Sequence, residues 1–368
     1  MANLTQIAEI NVDSRDRISG PVENAIFQFP ESFTITQIRL LEIELPISFY
    51  NIRNINTNFL VIDFDEGAGE LSATIADAPT TAGYTLAEFL TAIETAMNGV
   101  GSNTYHVTHN TTTNKITIYN DEVNNFKLLW NTGTNKDSYI AGYLGFSRTI
   151  DLKRNYTYTG TTELNLNVTN LIDISTNGTT TTSTIKLPVG SYTFTEFVGG
   201  VKTALDAETG FTTDATINKI TNKLTITSTS ALQFRFADGP NRFISTFNRI
   251  IGYSESNTPF STEFASDTGT IDLAGDNYIF LRSPSITGVD QGVVTTNSSN
   301  DNQIIAKIQI SEPTDGIMFY TNPTSFSSDL GNINNDGNQF RFSLAFYNSQ
   351  NVNLNGHDYS CKLRVIYK

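Results

Sequence analysis

The sequence predicts a mainly β protein in which strands from both chain ends close into one antiparallel sandwich around two inserted α+β units. Three observations carry this. Thr, Asn, Ser and Gly are abundant, aromatics reach 11% and charged residues only 16%, the profile of half-buried strands joined by many turns. Long period-two alternations of apolar and polar residues cluster towards the two termini. Between them the chain repeats itself at a constant offset.

At a shift of 108, Tyr84, Thr85, Glu88, Phe89, Thr95, Ala96, Asn114, Lys115, Thr117, Ile118 and Phe126 meet Tyr192, Thr193, Glu196, Phe197, Thr203, Ala204, Asn222, Lys223, Thr225, Ile226 and Phe234. Over Tyr84 to Leu128, 15 of 45 aligned positions are identical without a gap. Leu144-Gly145-Phe146 answers Ile251-Gly252-Tyr253 at a shift of 107. Thr85-x-x-Glu88 and Thr193-x-x-Glu196 are capping boxes, where hydroxyl and carboxylate each take a free backbone N–H at a helix start. Tyr84 and Tyr192 precede the caps, placed to staple onto Phe89 and Phe197. Leu86, Phe89, Leu90, Ile93 and Met97 recur at helical spacing, as do Phe194, Phe197, Val198, Val201 and Leu205. The period then changes to two around the polar turns Thr113-Asn114-Lys115 and Thr221-Asn222-Lys223. Nothing reactive is repeated, so the duplication is one of packing.

The rest of the chain reads as strands. Ile7, Ile10 and Val12 alternate before the charged run Asp13-Ser14-Arg15-Asp16-Arg17, and Ala25 to Phe29 follows. In Thr36 to Leu45, Ile38 and Leu40 hold one parity while Leu41, Ile43 and Leu45 hold the other. That slip predicts a bulge near Leu40, with Glu42 and Glu44 outward. Residues 1–57 thus hold an arm and the first strands, 58–149 and 163–256 the two units, and 150–162 a polar connector. Residues 257–368 alternate again: Asn277 to Arg282, Ile304 to Ile310, Gly316 to Tyr320, Gln339 to Phe346, and Ser360 to Tyr367. Three early strands and five late ones make eight, the number of a two-sheet jelly roll. The first 50 residues carry too little apolar surface to fold alone.

Composition narrows the function. With 23 basic against 37 acidic residues the net charge is −14, which argues against nucleic-acid binding and favours either solubility at high local concentration or contact with a basic partner. One cysteine, Cys361, precludes an internal disulfide and reads as a small apolar core residue in a chain made in a reducing compartment. No secretory leader and no membrane span are expected. The Asn-x-Ser/Thr triplets at Asn110, Asn155, Asn167 and Asn177 read as coincidence in so Asn- and Thr-rich a chain. His106 and His109 fall on opposite faces of a strand and read as two surface imidazoles; His357 lies in a turn with no second ligand nearby. Asp63, Asp65, Glu66 and Glu70 around Gly67 lack calcium-loop spacing and read as a solvated acidic turn. Asn332 to Asn338 reads as hairpin chemistry at its Asp-Gly step, and Trp130 as core. No catalytic, metal or cofactor site is expected. The run Asp13, Ser14, Arg15, Asp16 and Arg17 has two readings: a solvated turn with mutual ion pairs, or an arm whose arginines meet carboxylates of a neighbouring subunit.

Three stretches together resemble one family: Asp13 to Arg17, Leu45-Pro46-Ile47-Ser48-Phe49-Tyr50-Asn51-Ile52, and the aliphatic-Gly-aromatic closure of each unit. Leu354-Asn355-Gly356-His357-Asp358-Tyr359-Ser360 before the last strand is also similar. The pattern resembles minor capsid and penton-type proteins of icosahedral double-stranded DNA viruses, including large eukaryotic viruses and virophages. The resemblance implies a structural virion protein, not an enzyme, that contacts the major capsid protein and other capsid subunits; as a penton it would form homopentamers. The alternative is a receptor- or glycan-binding surface protein using the Tyr-, Asn- and Thr-rich loops.

Overall fold

The computed structural model of the chain describes all residues except 1–5, 30–34, 56–59, 79, 81, 122–123, 137, 139, 148–149, 167, 274–275, 284–303, 313–315, 323–338, 347–350 and 368. It is mainly β with antiparallel sheets and separates into two compact units, Met1–Phe49 with Asp276–Lys368, and Tyr50–Gly275. In chain order, unit 1 begins with β1 (Gln6–Asp13), β2 (Asn24–Gln28) and β3 (Ile35–Pro46). The first half of unit 2 holds β4 (Val61–Asp65), β5 (Glu70–Thr74), α1 (Leu86–Val100), β6 (Tyr105–Asn110), β7 (Lys115–Asn120), β8 (Lys127–Leu128), α2 (Ile140–Tyr143) and β9 (Thr157–Thr159). Its second half holds β10 (Leu171–Ser175), β11 (Ser183–Lys186), α3 (Phe194–Thr209), β12 (Thr213–Asn218), β13 (Lys223–Phe234), α4 (Phe247–Ile250) and β14 (Ser261–Ala265). Unit 1 resumes with β15 (Tyr278–Arg282), β16 (Ile304–Gln309), β17 (Ile317–Thr321), β18 (Gln339–Ala345) and β19 (Ser360–Tyr367).

Unit 1 has two four-stranded sheets, ordered β1-β19-β3-β17 and β16-β15-β18-β2. Each joins strands from opposite ends of the chain. β1 pairs with β19 over its whole length, Gln6 opposite Tyr367 and Asp13 opposite Ser360. The alternation in the sequence decides which side chains meet between the sheets. Ile38, Leu40, Ile43, Leu45, Leu363 and Val365 of the first sheet share one hydrophobic cluster with Phe27, Ile279, Leu281, Phe340, Phe342 and Leu344 of the second. Each fully buried side chain of this size stabilises by about 1.5–3 kcal/mol relative to exposure. Cys361 lies in the same cluster, and burial pushes its thiol up to about 12. The parity slip is a bulge: Glu42 opposes Lys362 and Leu40 opposes Leu363, leaving Leu41 unmatched. Its consequence is that Leu40 and Ile43 both face inward while Glu42 and Glu44 stay exposed.

In unit 2 both helices begin as local chemistry dictates. Thr85 accepts from Glu88 N–H at 3.3 Å while Glu88 accepts from Thr85 N–H at 2.7 Å. Thr193 and Glu196 repeat this at 3.3 and 2.9 Å. The aromatic staples form, Tyr84 with Phe89 at 5.8 Å and Tyr192 with Phe197 at 6.3 Å between ring centroids. Asn114 and Asn222 take left-handed φ of 50° and 51° in the two hairpin turns, a conformation Asn tolerates.

Corresponding bonds extend beyond the stretch that aligns in sequence. Asn54 clamps Tyr84, its amide donating to the carbonyl at 3.0 Å and accepting from the N–H at 2.8 Å. Asn51 clamps Tyr192 the same way, both bonds 3.0 Å. Buried Asp63 accepts from the Asn135 amide at 3.0 Å and the Ser72 hydroxyl at 2.7 Å. Buried Asp173 accepts from the Asn241 amide and the Thr184 hydroxyl, each at 2.7 Å. Leu128 and Phe234 lie opposite Phe64 and Ile174 respectively, the residues that follow those two aspartates. The offset after the hairpin is therefore 106, and the sequence match of Phe126 to Phe234 is a two-residue slip, because continuous β13 stands where the first half has β7, a break and β8.

The two halves pack on each other. The Leu86 N–H donates to Asn241 Oδ1 at 2.9 Å, and the Lys186 ammonium reaches Glu88 at 2.6 Å. Leu164, Leu166, Val168, Leu171 and Ile244 join the hydrophobic cluster of the first half. Two segments lie elsewhere than expected. Thr157–Thr159, within the connector, pairs with β7, and Ser261–Ala265, grouped with the closing strands, pairs with β13.

Candidate functional site

The charged run ends β1 and opens a short 3-10 turn, Ser14–Asp16, in unit 1. Asp13 caps that turn, accepting the Arg15 N–H at 2.9 Å, and forms an ion pair with the Arg15 guanidinium. That hydrogen-bonded pair holds the Asp13 carboxyl below the usual carboxylate range. Arg15 remains 72% exposed, so the pair adds little stability of its own. Asp16 is exposed and has no cation partner among the described residues.

Ser14 and Arg17 face the other way, towards the segment that starts β19. Ser14 is fully buried; its hydroxyl donates to Asp358 at 2.8 Å and accepts the Tyr359 N–H at 2.9 Å. Its own N–H donates to the Tyr359 carbonyl at 2.9 Å. Arg17 donates to the Ser14 carbonyl at 2.7 Å, to the Gly20 carbonyl at 3.2 Å and to Asp358 at 3.3 Å. Gly20 makes the return of the chain possible: its φ is +85°, and a Cβ there would lie 2.2 Å from the Asn24 carbonyl oxygen. The run is a knot between the two ends of the chain. Of its two arginines, Arg17 is engaged within the chain and Arg15 is presented to solvent.

Beside the knot lies an open groove of about 520 Å³, lined among others by Asp13, Arg15, Glu44, Ile47, Ile317 and His357. One wall is β17, an edge strand on which Ile317 and Phe319 are 57% and 72% exposed. A groove with an apolar wall, three carboxylates and one accessible guanidinium suits contact with a polypeptide segment. Replacing Ser14 by Ala is expected to lower unit 1 stability by about 2 kcal/mol, since the buried Tyr359 N–H loses its acceptor and Asp358 a donor. Urea unfolding checks this; a loss within about 0.5 kcal/mol would mean the knot is dispensable.

The other polar candidates are structural. His106 sits between Asp121, at 2.6 Å from Nε2, and Glu94, at 3.5 Å from Nδ1. The bond to Asp121 raises its pKa above the ordinary value. His109 bonds Asn114 at 2.9 Å and meets the Phe243 ring at 4.8 Å. Both imidazoles are half-buried and bonded rather than free at the surface. Among the described residues, no group of three His, Cys, Asp or Glu side chains is placed to hold a metal.

The acidic turn differs from expectation in part: Glu70 is exposed, but Asp63 is buried and the carboxylates of the turn hold backbone. Asp65 accepts the Gly69 N–H and pairs with Arg154 at 2.6 Å. Glu66 takes the N–H groups of Ser102 and Asn103 and the Tyr105 hydroxyl, and Glu70 takes the Thr134 N–H at 2.7 Å. Trp130 is buried, stacked on Phe146 at 5.6 Å. The Asn332–Asn338 turn lies outside the described residues.

No family model matches the sequence, and no curated protein matches it. Among solved structures, the SeMet-labelled mavirus penton protein is similar over 100% of both chains, at 10% identity and a TM-score of 0.38. A likeness at that level carries no argument for this chain.

Proposed function

We propose that the chain is a structural virion protein, a minor capsid or penton-type component of an icosahedral shell. The observation that carries this is the strand order of unit 1. The sequence β1-β19-β3-β17 facing β2-β18-β15-β16, with its strands drawn from both chain ends, supports reading unit 1 as an eight-stranded jelly roll, an architecture used by viral capsids, lectins and cupins. The space between the sheets favours the first of these. Among the described residues it is lined by aliphatic and aromatic side chains, with no cluster of His or carboxylates such as a cupin's metal would need. Two of the stretches quoted above as resembling capsid proteins meet in this unit, which supports the reading: Asp13 to Arg17 form the knot, and His357 and Asp358 line the groove beside it.

In this reading unit 1 is the base that meets the major capsid protein, with Arg15 and the Ile317 and Phe319 edge as its contact surface. Unit 2, with its two related halves inserted between β3 and β15, supplies further contact or surface domains. The test is quantitative mass spectrometry of gradient-purified particles, followed by a particle reconstruction with the chain placed in it. Its presence at low, fixed copy number relative to the major shell protein is expected, and its absence from purified particles would overturn the reading. Binding of unit 2 to host glycans by a chain missing from particles would favour the adhesion alternative.

A further inference from the structure

The start of α1 and the start of α3 have the same cap chemistry but different surroundings. At α1, Leu86 is only 5% exposed, its N–H is taken by Asn241, and Glu88 is paired with Lys186. At α3, Phe194 is 50% exposed, and Glu196 is exposed with no cation partner among the described residues. The same helix end is thus covered in one half and bare in the other. What covers it in the first half is known in atomic detail: the Asn241 corner and the β11 lysine of the second half.

The first half carries its own version of that covering corner. Asn135 is held by Asp63 and Ser72 as Asn241 is held by Asp173 and Thr184. Gly-x-Asn precedes the corner in both halves, at Gly133 and Gly239. Asn135 is only half-buried, whereas Asn241 is 2% exposed. Thr74 stands where Lys186 does, relative to Ser72 and Thr184. The residue beside Asn135, Lys136, is exposed and has no carboxylate partner among the described residues.

We propose that the α3 start and the Asn135–Lys136 corner are the two open halves of one interface, through which a second copy of this chain docks head to tail. The Phe194 N–H of one copy donates to Asn135 of the next, as Leu86 does to Asn241 within the chain, and Lys136 meets Glu196. Charge complementarity, a helix-start N–H with no acceptor within its own helix and an exposed aromatic at one point are what an interface core and its rim require. Because the two patches differ, the contact is heterologous; it either closes into a ring or runs on, and it cannot stop at a symmetric dimer. This inference stands apart from the virion reading, since it concerns only how copies of unit 2 meet.

The test uses the full chain with two variants, Phe194→Asp and Lys136→Glu. Both positions are exposed, and Asp at the first helical turn suits the helix dipole, so both variants are expected to fold, as circular dichroism would verify. In sedimentation velocity the unmodified chain is expected to gain mass with concentration, while each variant alone stays monomeric. An equimolar mixture of the two variants is expected to form dimers and nothing larger, because each retains the half the other lacks. A monomer at every concentration up to about 100 μM, association that survives either variant, or a mixture that remains monomeric would each overturn the proposal. Should either variant misfold, Phe194→Ser and Lys136→Gln replace them with the same expected pattern.

Discussion

Replacing Phe234 by Ala is expected to lower the stability of unit 2 by about 3–5 kcal/mol, the range for a large aromatic removed from a packed core. Phe234 has no exposed surface and lies where the last pairs of β13 meet β10. Its ring contacts Phe264 at 4.9 Å, Phe236 at 5.8 Å and Tyr253 at 6.0 Å between centroids. These neighbours come from three separate segments, so a cavity here cannot be closed by one side-chain shift. The lone tryptophan, Trp130, is buried in the same unit and reports its unfolding by fluorescence. A urea midpoint unchanged by the substitution would show that Phe234 is not the centre of this cluster.

Gly252→Ala is expected to cost at least about 3 kcal/mol, as the sum of a left-handed backbone penalty and a backbone collision. Gly252 has φ +74°, and a Cβ would lie 2.5 Å from the Gly269 carbonyl oxygen and 2.6 Å from its carbon. Gly145 is its counterpart, with φ +79° and the Thr162 carbonyl oxygen 2.3 Å from the same point. In each half a chain segment crosses directly over the glycine and bonds to its carbonyl: Thr162 N–H at 3.0 Å and Gly269 N–H at 3.0 Å. Gly210, the α3 C-cap, separates the two contributions. Its φ is +68° but nothing lies within 4 Å of a Cβ, so Gly210→Ala should cost only about 1–2 kcal/mol. The two variants are compared by urea unfolding; equal losses for Gly252 and Gly210 would mean that the crossing segment moves aside freely.

Much of this architecture is legible in the sequence because its causes are local. A Thr-x-x-Glu box closes on backbone three residues away, so both helix starts are where the sequence places them. Alternation of period two decides inward and outward faces strand by strand, so Phe340, Phe342 and Leu344 are found inside as expected. The bulge at Leu41 shows as a slip of parity for the same reason.

The latching role of the Asp63 to Glu70 carboxylates is not legible in the sequence for the opposite reason: their partners lie up to 89 positions away, and local composition suggests only a polar turn. A recurrent signal was nonetheless present. An aspartate followed, after a change of offset, by Gly-x-Asn occurs at Asp63 with Gly133 and Asn135, and at Asp173 with Gly239 and Asn241. An ungapped comparison passes over it, because insertions on either side shift the register. The Asn51 and Asn54 clamps left no periodic trace at all.

In the knot, the residues themselves announced charge and turn chemistry, and no more. That Ser14 would be buried and Arg15 exposed depends on Asp358 and Tyr359 arriving from 344 and 345 positions along the chain.

From its sequence alone this chain determines its elements, their caps, their buried faces and the recurrence of one packing unit, because each depends on neighbours within a turn or a strand. Only the tertiary structure decides which strand lies beside which, which carboxylates are latches, and which of two like helix ends is left uncovered. Those outcomes depend on contacts between residues hundreds of positions apart, whose free energy exists only once the whole fold has closed.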